Sequence, residues 1–286
     1  NSEDFFNTLI ALAIFRWPLR RLQILITDIF PKGPFWPLWS TVFNDGRQVP
    51  LDAFAIAQKY ANRNVCFDEA AVAILGAAAP VTVASFDTRC SRSAIVRAYA
   101  DLVIAQLGLA PETRYAKAAA ATDRGVDPRR VVVTFMARRS ASEWPEKRFC
   151  DSRTSFFACE RLGHLGVRPL GRSVKNDADL VRALKALERR RFANGARVEV
   201  RDVDYSLLDF EAQIATDVDT DVMVGPHGAG LLHNIFMPDR GVLVELFIDS
   251  SAANRHFHNF AKWQGRQYLS KSLRNPVPVD SARGVD

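Results

Sequence analysis

The stretch Asp221–Phe247, DVMVGPHGAGLLHNIFMPDRGVLVELF, holds the residues best able to do chemistry. Gly225, Gly228 and Gly230 crowd into one turn, with His227 between them. Glycines adopt φ > 0 readily and let a ligand approach the backbone closely. A helix that follows such a turn points free N–H groups and the positive end of its dipole at the same place. The natural guest is a phosphate or diphosphate. For the glycines alone, a tight strand-to-helix connection without a ligand is the alternative, but such a connection has no use for the imidazole of His227. Glu245, about fifteen residues after the turn, stands where dinucleotide-type sites place an acid against the ribose hydroxyls.

The elements that position these groups follow from the pattern. Asp221 to Val224 is a short apolar run, Leu231 to Met237 winds as a helix, Pro238 and Gly241 stop it, and Val242 to Leu246 reads as a second buried strand. That is one α/β unit, with its turn at the carboxyl end of the first strand, where open parallel sheets bind ligands. Upstream, Arg130 to Ala137 (RVVVTFMA) is a fully buried strand ending in Arg138 and Arg139. On a shared parallel sheet Arg138 and the glycine turn project toward the same carboxyl edge. A guanidinium fork beside backbone N–H groups is a strong diphosphate cradle.

The chain has 286 residues, 48% hydrophobic and 24% charged, which suits one large or two ordinary globular domains and excludes a disordered chain. The net charge of +6 is mildly basic without a dense Lys/Arg stripe. Arg189 to Arg191 is the tightest basic run, and it closes a predicted helix, where cations suit the dipole. An anionic small substrate fits this balance better than nucleic acid. Four cysteines, Cys66, Cys90, Cys150 and Cys159, show no CxxC spacing and permit one or two bridges. No run reaches the roughly twenty apolar residues of a membrane span. Phe5 to Phe15 is shorter and has an acidic lead, unlike a signal peptide. The chain opens on Asn1, which reads as a fragment or processed form.

The remaining elements alternate. Residues 5 to 15 are helix-compatible, Leu22 to Thr27 is a buried-strand pattern, and residues 31 to 40 (PKGPFWPLWS) read as an aromatic loop whose Phe35, Trp36 and Trp39 pack inward. Asn64 to Phe67 and Val81 to Ser85 look like short strands around a helical pattern at Glu69 to Ala79. Ser91 to Leu107 is an amphipathic helix closed by Gly108. Residues 111 to 129 change character and read as a linker between an N-terminal α/β domain, 1 to 110, and a Rossmann-like domain, 130 to 270, with a tail from 271 to 286. Within the second domain a polar insertion follows Arg139, pinned in one reading by a Cys150–Cys159 bridge. Helices are expected at Asp177 to Arg191, Leu207 to Thr216 and Ser251 to Trp263, and strands at Ala196 to Val203 and from Tyr268. Alternating strands and helices give a parallel α/β sheet.

These residues resemble glycosyltransferase family 61. The resemblance is carried by FEAQIATDVDTDVMVGPHGAGLLHNIFMP, with Phe210, Gln213, Gly225, His227, Gly228, Ala229, Gly230 and Leu231, and by VLVEL with Glu245. TFMAR with Arg138, the segment from Arg172 through Asn176 to Leu180, and NVCFDEAAVAIL (64 to 75) add to it. It implies the GT-B arrangement, two Rossmann-like domains facing across a cleft, the N-terminal one short. It further implies inverting, metal-independent transfer of a sugar (GlcNAc, xylose or arabinose) from a UDP-sugar to a hydroxyl of a glycan or glycoprotein. No cofactor beyond the donor is expected. By this resemblance Arg138 and Arg172 neutralise the diphosphate, the Gly228, Ala229 and Gly230 amides and His227 contact phosphate or donor, and Glu245 holds ribose or the donor sugar. It also implies residence in the ER or Golgi lumen behind an upstream type II membrane anchor.

Inverting transfer needs one general base for the acceptor hydroxyl. No histidine occurs in the first domain, so Glu3 and Asp4 are the candidates there, although helix capping accounts for them equally. Two further aspartate patterns, DVD (202 to 204) and DVDTD (217 to 221), invite a metal reading. Both sit at element ends, where aspartates cap and turn, and no metal site is expected. His256 and His258 lack a third ligand with convincing spacing. The alternatives are an NAD(P)-dependent Rossmann oxidoreductase, whose G-x-G-x-x-G differs from the G-x-x-G-x-G here, and a catalytically inactive protein of nucleotide-sugar fold.

Overall fold

The computed structural model describes residues 2–19, 22–26, 36–44, 50–61, 63–73, 91–109, 130–138, 174, 176–248 and 254–273. Its centre is a five-stranded, all-parallel sheet. The strands are β3 (Arg130–Ala137), β4 (Arg197–Asp204), β5 (Val222–Pro226), β6 (Val242–Phe247) and β7 (Gln267–Ser272), in the order β4-β3-β5-β6-β7. β3 is buried from Val132 onward, as a central parallel strand covered on both faces should be. The expected parallel α/β sheet is therefore present, with strand limits within one or two residues of those read from the pattern.

Register sorts the side chains into two faces. Phe135 pairs with Val224, Gly225 with Glu245, and Glu245 with Ser270. Because side chains alternate along a strand, Met136, Met223 and Leu243 share one face. That face is packed by the 3-10 helix Ala229–Phe236 and by α7 (His256–Trp263), through Leu231, Phe257 and Ala261. Val133, Phe135, Val224 and Leu246 face the other way, against Val181 of α5 (Asp177–Lys185). α6 (Phe210–Val218), capped by Asp209, runs between β4 and β5.

The N-terminal region contributes α1 (Ser2–Phe15), α2 (Trp36–Asn44), α3 (Ala53–Tyr60), α4 (Ala94–Gln106) and a parallel ladder of β1 (Leu25–Ile26) and β2 (Leu51–Asp52). Phe5, Phe6, Val42, Phe43, Tyr99 and Ile104 form one continuous apolar cluster with Ile214 of α6, Phe236 of the 3-10 helix and Phe260 of α7. α1, α2 and α4 thus form an outer layer on the helices that cover the sheet.

Several local expectations are corrected. Residues 36 to 44 are helix rather than loop, since a proline in the first turn lacks only an N–H that has no helical partner anyway. Trp39 does pack inward, stacked on Phe5 at 4.1 Å between ring centroids. Within the expected strand Leu22 to Thr27, Leu22 to Ile24 are irregular and Leu25–Ile26 is strand, with Thr27 outside the described residues; residues 64 to 67 are irregular, and residues 69 to 73 are not helical. The helix expected over Leu231 to Met237 is a 3-10 helix, Ala229–Phe236, tighter than an α-helix. The linker at 111 to 129, the insertion with Cys150 and Cys159, the strand at 81 to 85, Phe35, Arg139, Arg172 and the residues after 273 lie outside the described residues. No helix among the described residues is long and apolar enough to cross a membrane.

Candidate functional site

Extending the β3–β5 register beyond Phe135↔Val224 sets Arg138 level with His227 at the carboxyl edge. The side chains follow. A Cβ built on Gly228 would stand 2.6 Å from Nη1 of Arg138, so the guanidinium lies directly against the turn. The same crowding accounts for the other two glycines. A Cβ on Gly230 would meet Sδ of Met136 at 2.7 Å, and one on Gly225 would meet Leu231 Cδ2 at 3.0 Å and Met136 Cβ at 3.3 Å. The end of β3 is pressed against the turn, closest to rigid atoms at Gly225 and to the movable ends of Arg138 and Met136 at Gly228 and Gly230.

Ala229 and Gly230 are exposed. As the first residues of the 3-10 helix their amides have no acceptor within it. Arg138 is half-buried. A positive fork and amides without a partner inside the helix therefore meet at one edge of the sheet, an arrangement suited to phosphate oxygens.

His227 is buried, and its backbone N–H donates to the Leu246 carbonyl at 2.8 Å. Its ring stacks on Phe247, with Phe257 edge-on. Nδ1 lies 2.5 Å from Oε1 of Glu245, and the Tyr268 hydroxyl donates to Oε2 of the same carboxylate at 2.7 Å. Burial, and then the neighbouring Glu245, push the Tyr268 phenol well above its ordinary value, so it stays a donor. Glu245 is fully buried with both oxygens engaged. This differs from the expected direct contact with ribose or sugar: the carboxylate's partners are His227 and Tyr268, and its geometry is that of a group that orients an imidazole.

A second cluster of the same composition sits under the 3-10 helix. Asp217 of α6 is fully buried; its Oδ1 accepts from the Tyr205 hydroxyl at 2.5 Å, and its Oδ2 lies 2.5 Å from Nδ1 of His233. Burial raises the Asp217 carboxyl above the ordinary aspartate range, while His233 and Tyr205 pull it back. Burial, and then Asp217, raise the Tyr205 phenol. At the far end of the same 3-10 helix, buried Arg266 donates to the carbonyls of Ile235, Met237 and Pro238, a guanidinium cap on the helix carboxyl end.

The other aspartates of the two sequence patterns have structural partners. Asp204 caps the turn at Ser206, Asp219 binds Arg130 and Arg201, and Asp221 accepts the Val132 amide. Among the described residues no group of three His, Cys, Asp or Glu side chains is placed to hold a metal ion. Asp4 and Glu3 lie in the first turn of α1, in the outer layer, where the Asp4 carbonyl accepts from the Thr8 hydroxyl. The structure thus brings together Arg138, His227, Gly228, Gly230 and Glu245, with Ala229 at their edge, and leaves Asp4 in a different layer. Sequence reasoning missed Tyr205, His233, Arg266 and Tyr268. Their only trace was Asp217, read as part of a metal-like pattern.

The sequence profile of the family Glycosyltransferase 61 matches residues 14–244, most of the chain and the whole stretch from Arg138 through His227. The chain belongs to glycosyltransferase family 61. Curated proteins similar to it include EGF domain-specific O-linked N-acetylglucosamine transferases. The chicken protein (Gallus gallus) is 33% identical over 106 residues, 37% of this chain and 18% of its own. The fruit fly protein (Drosophila melanogaster) is 33% identical over 117 residues, 41% of this chain and 21% of its own. For the mouse protein (Mus musculus) the figures are 34% over 110 residues, 38% and 19%. The match spans about a fifth of the length of these relatives.

Proposed function

We propose that the chain is an inverting glycosyltransferase that moves a sugar from a UDP-sugar to a hydroxyl of a glycan or glycoprotein. The observation that carries this reading is the Arg138 guanidinium lying against Gly228, beside the exposed helix-opening residues Ala229 and Gly230. In this reading the donor's diphosphate lies across the turn. The leaving group then needs electrostatic support, which an arginine and helix-terminal amides supply without a metal. His227, oriented by Glu245, contacts the phosphate or donor from the same edge. Arg172 joins Arg138 on the diphosphate by the family resemblance. The relatives' names favour N-acetylglucosamine as the sugar, with xylose and arabinose as the family's other donors.

The acceptor hydroxyl loses its proton to an acid of α1, Asp4 or Glu3, across a GT-B cleft in the ER or Golgi lumen. Asp4→Asn and Glu3→Gln test this role. The variant lacking the base should lose about 10²- to 10⁴-fold in kcat with UDP affinity unchanged.

The experiment for the donor site is ligand-induced melting. UDP should raise the midpoint of the wild-type chain, NAD should not, and Arg138→Ala should abolish the UDP effect while melting as a folded protein. An Arg138→Ala variant that is stabilised by UDP as before would sink the cradle. Release of UDP from a panel of UDP-sugars, with an acceptor present, then names the donor.

A further inference from the structure

We propose that His233 is a positioning residue that, through Asp217 and Tyr205, holds the far side of the glycine turn in register with the near side. This rests on the reading of that turn as the donor-phosphate site. Two clusters of one design bracket residues 228–232. On the near side His227 faces Glu245, which takes the Tyr268 hydroxyl. On the far side His233 faces Asp217, which takes the Tyr205 hydroxyl. Each carboxylate is fully buried and is shared between one imidazole Nδ1 and one phenol. The clusters belong to different parts of the fold: Glu245 and Tyr268 to β6 and β7, Asp217 to α6, and Tyr205 to the residue after β4. The backbone between the two histidines is thereby tied, on one face of the sheet, to its β4 flank and to its β6–β7 flank.

The segment needs such ties. Its helix is of the 3-10 type, whose hydrogen bonds have poor geometry, and it opens with two glycines among three residues, which carry the largest backbone entropy. Left to itself, such a segment does not hold its amides in one direction. Packing alone does not account for Asp217. The His233 ring already lies among Tyr205, Phe210 and Phe236, with centroids 5.1, 6.0 and 5.9 Å away. Buried carboxylates often add no more stability than an apolar side chain of similar volume. What the carboxylate adds is direction. It fixes the rotation of the imidazole, and through it the phase of the 3-10 helix that begins at Ala229. Fixed donors aimed in advance at a charged ligand are worth more than mobile ones.

The test compares His233→Leu with His233→Asn in the full chain, because the Asn amide nitrogen can take the place of Nδ1. Amide hydrogen exchange across residues 228–236, without ligand, should quicken at least about tenfold in the Leu variant. Exchange in β3 and β5 should stay unchanged, and the Asn variant should exchange as the wild type does. The UDP dissociation constant should rise about tenfold for Leu and return toward wild type for Asn. Tyr205→Phe, which removes one hydroxyl, should move both readouts the same way by less, and it serves if the Leu variant does not fold. Unchanged exchange across 228–236 in a folded His233→Leu or Tyr205→Phe variant overturns the proposal. Quickened exchange in a protein whose wild type binds no UDP leaves the bracket standing and removes the donor reading.

Discussion

Nη1 of Arg138 stands 2.6 Å from the point where Gly228 would carry a Cβ. In the proposed donor site, that approach makes the glycine a ligand-site residue as well as a turn residue. Alanine at 228 needs no unusual backbone, and the obstacle is the far end of a flexible side chain, which can swing away. Gly228→Ala should therefore fold with a melting point close to wild type and lose UDP affinity nearly as far as Arg138→Ala does. Isothermal titration of the two variants and of the double mutant checks this. If the arginine is the common cause, the losses will not add.

Gly225 gives the opposite balance. Its missing Cβ faces Leu231 Cδ2 at 3.0 Å and the Met136 Cβ and carbonyl at 3.3 and 3.5 Å, and two of these three atoms are rigidly attached to β3. Gly225→Ala overpacks a core strand and should destabilise the fold by about 1–3 kcal/mol. A urea titration that finds Gly225→Ala as stable as wild type would mean that the end of β3 has slack the distances do not show.

Glu245 and its two partners separate stability from chemistry. Tyr268→Phe leaves Oε2 of a fully buried carboxylate without its donor, at a cost of about 1–3 kcal/mol. Glu245→Gln keeps the volume; with the Tyr268 hydroxyl still donating to the amide oxygen, the amide N–H turns to Nδ1 of His227 and forces the imidazole proton onto Nε2. Nitrogen NMR of the His227 ring should show the tautomer change, and turnover should fall with it by about tenfold or more. An unchanged tautomer in Glu245→Gln would mean that the amide oxygen, and not the nitrogen, faces Nδ1, and would sink this prediction.

The amino edge of the sheet carries an ion network with a pH signature. Arg201 and then Arg130 hold the Glu199 carboxyl below its ordinary value of 4.5. The folded chain thus binds fewer protons than the unfolded one just below that pH. The stabilisation from Glu199 is complete above 4.5 and is lost as pH falls through the lower folded value. Denaturant midpoints measured from pH 6 down to pH 3 should fall more steeply for wild type than for Glu199→Gln. Glu199 is partly exposed, so added salt should reduce the difference.

Local physics determined much of this protein. Largely apolar runs marked β3, β5 and β6, because a strand buried on both faces leaves room for few polar side chains. The spacing of Gly225, Gly228 and Gly230 located the tight turn, and a parallel sheet put Arg138 and His227 at one edge. The register between strands decided the rest, and no single segment encodes it. Only β6 lying beside β5 makes Glu245 a partner of His227 instead of a free acid, and only α6 folding under the 3-10 helix joins Asp217 to His233 and Tyr205. Those pairs are separated by 12 to 18 residues along the chain and 2.5 Å in space. The aromatic segment at Trp36 turned out helical for a related reason: the apolar layer formed by α1 and α4 rewards burying Leu38, Val42 and Phe43 on one side, a periodicity that the prolines and tryptophans mask in the sequence.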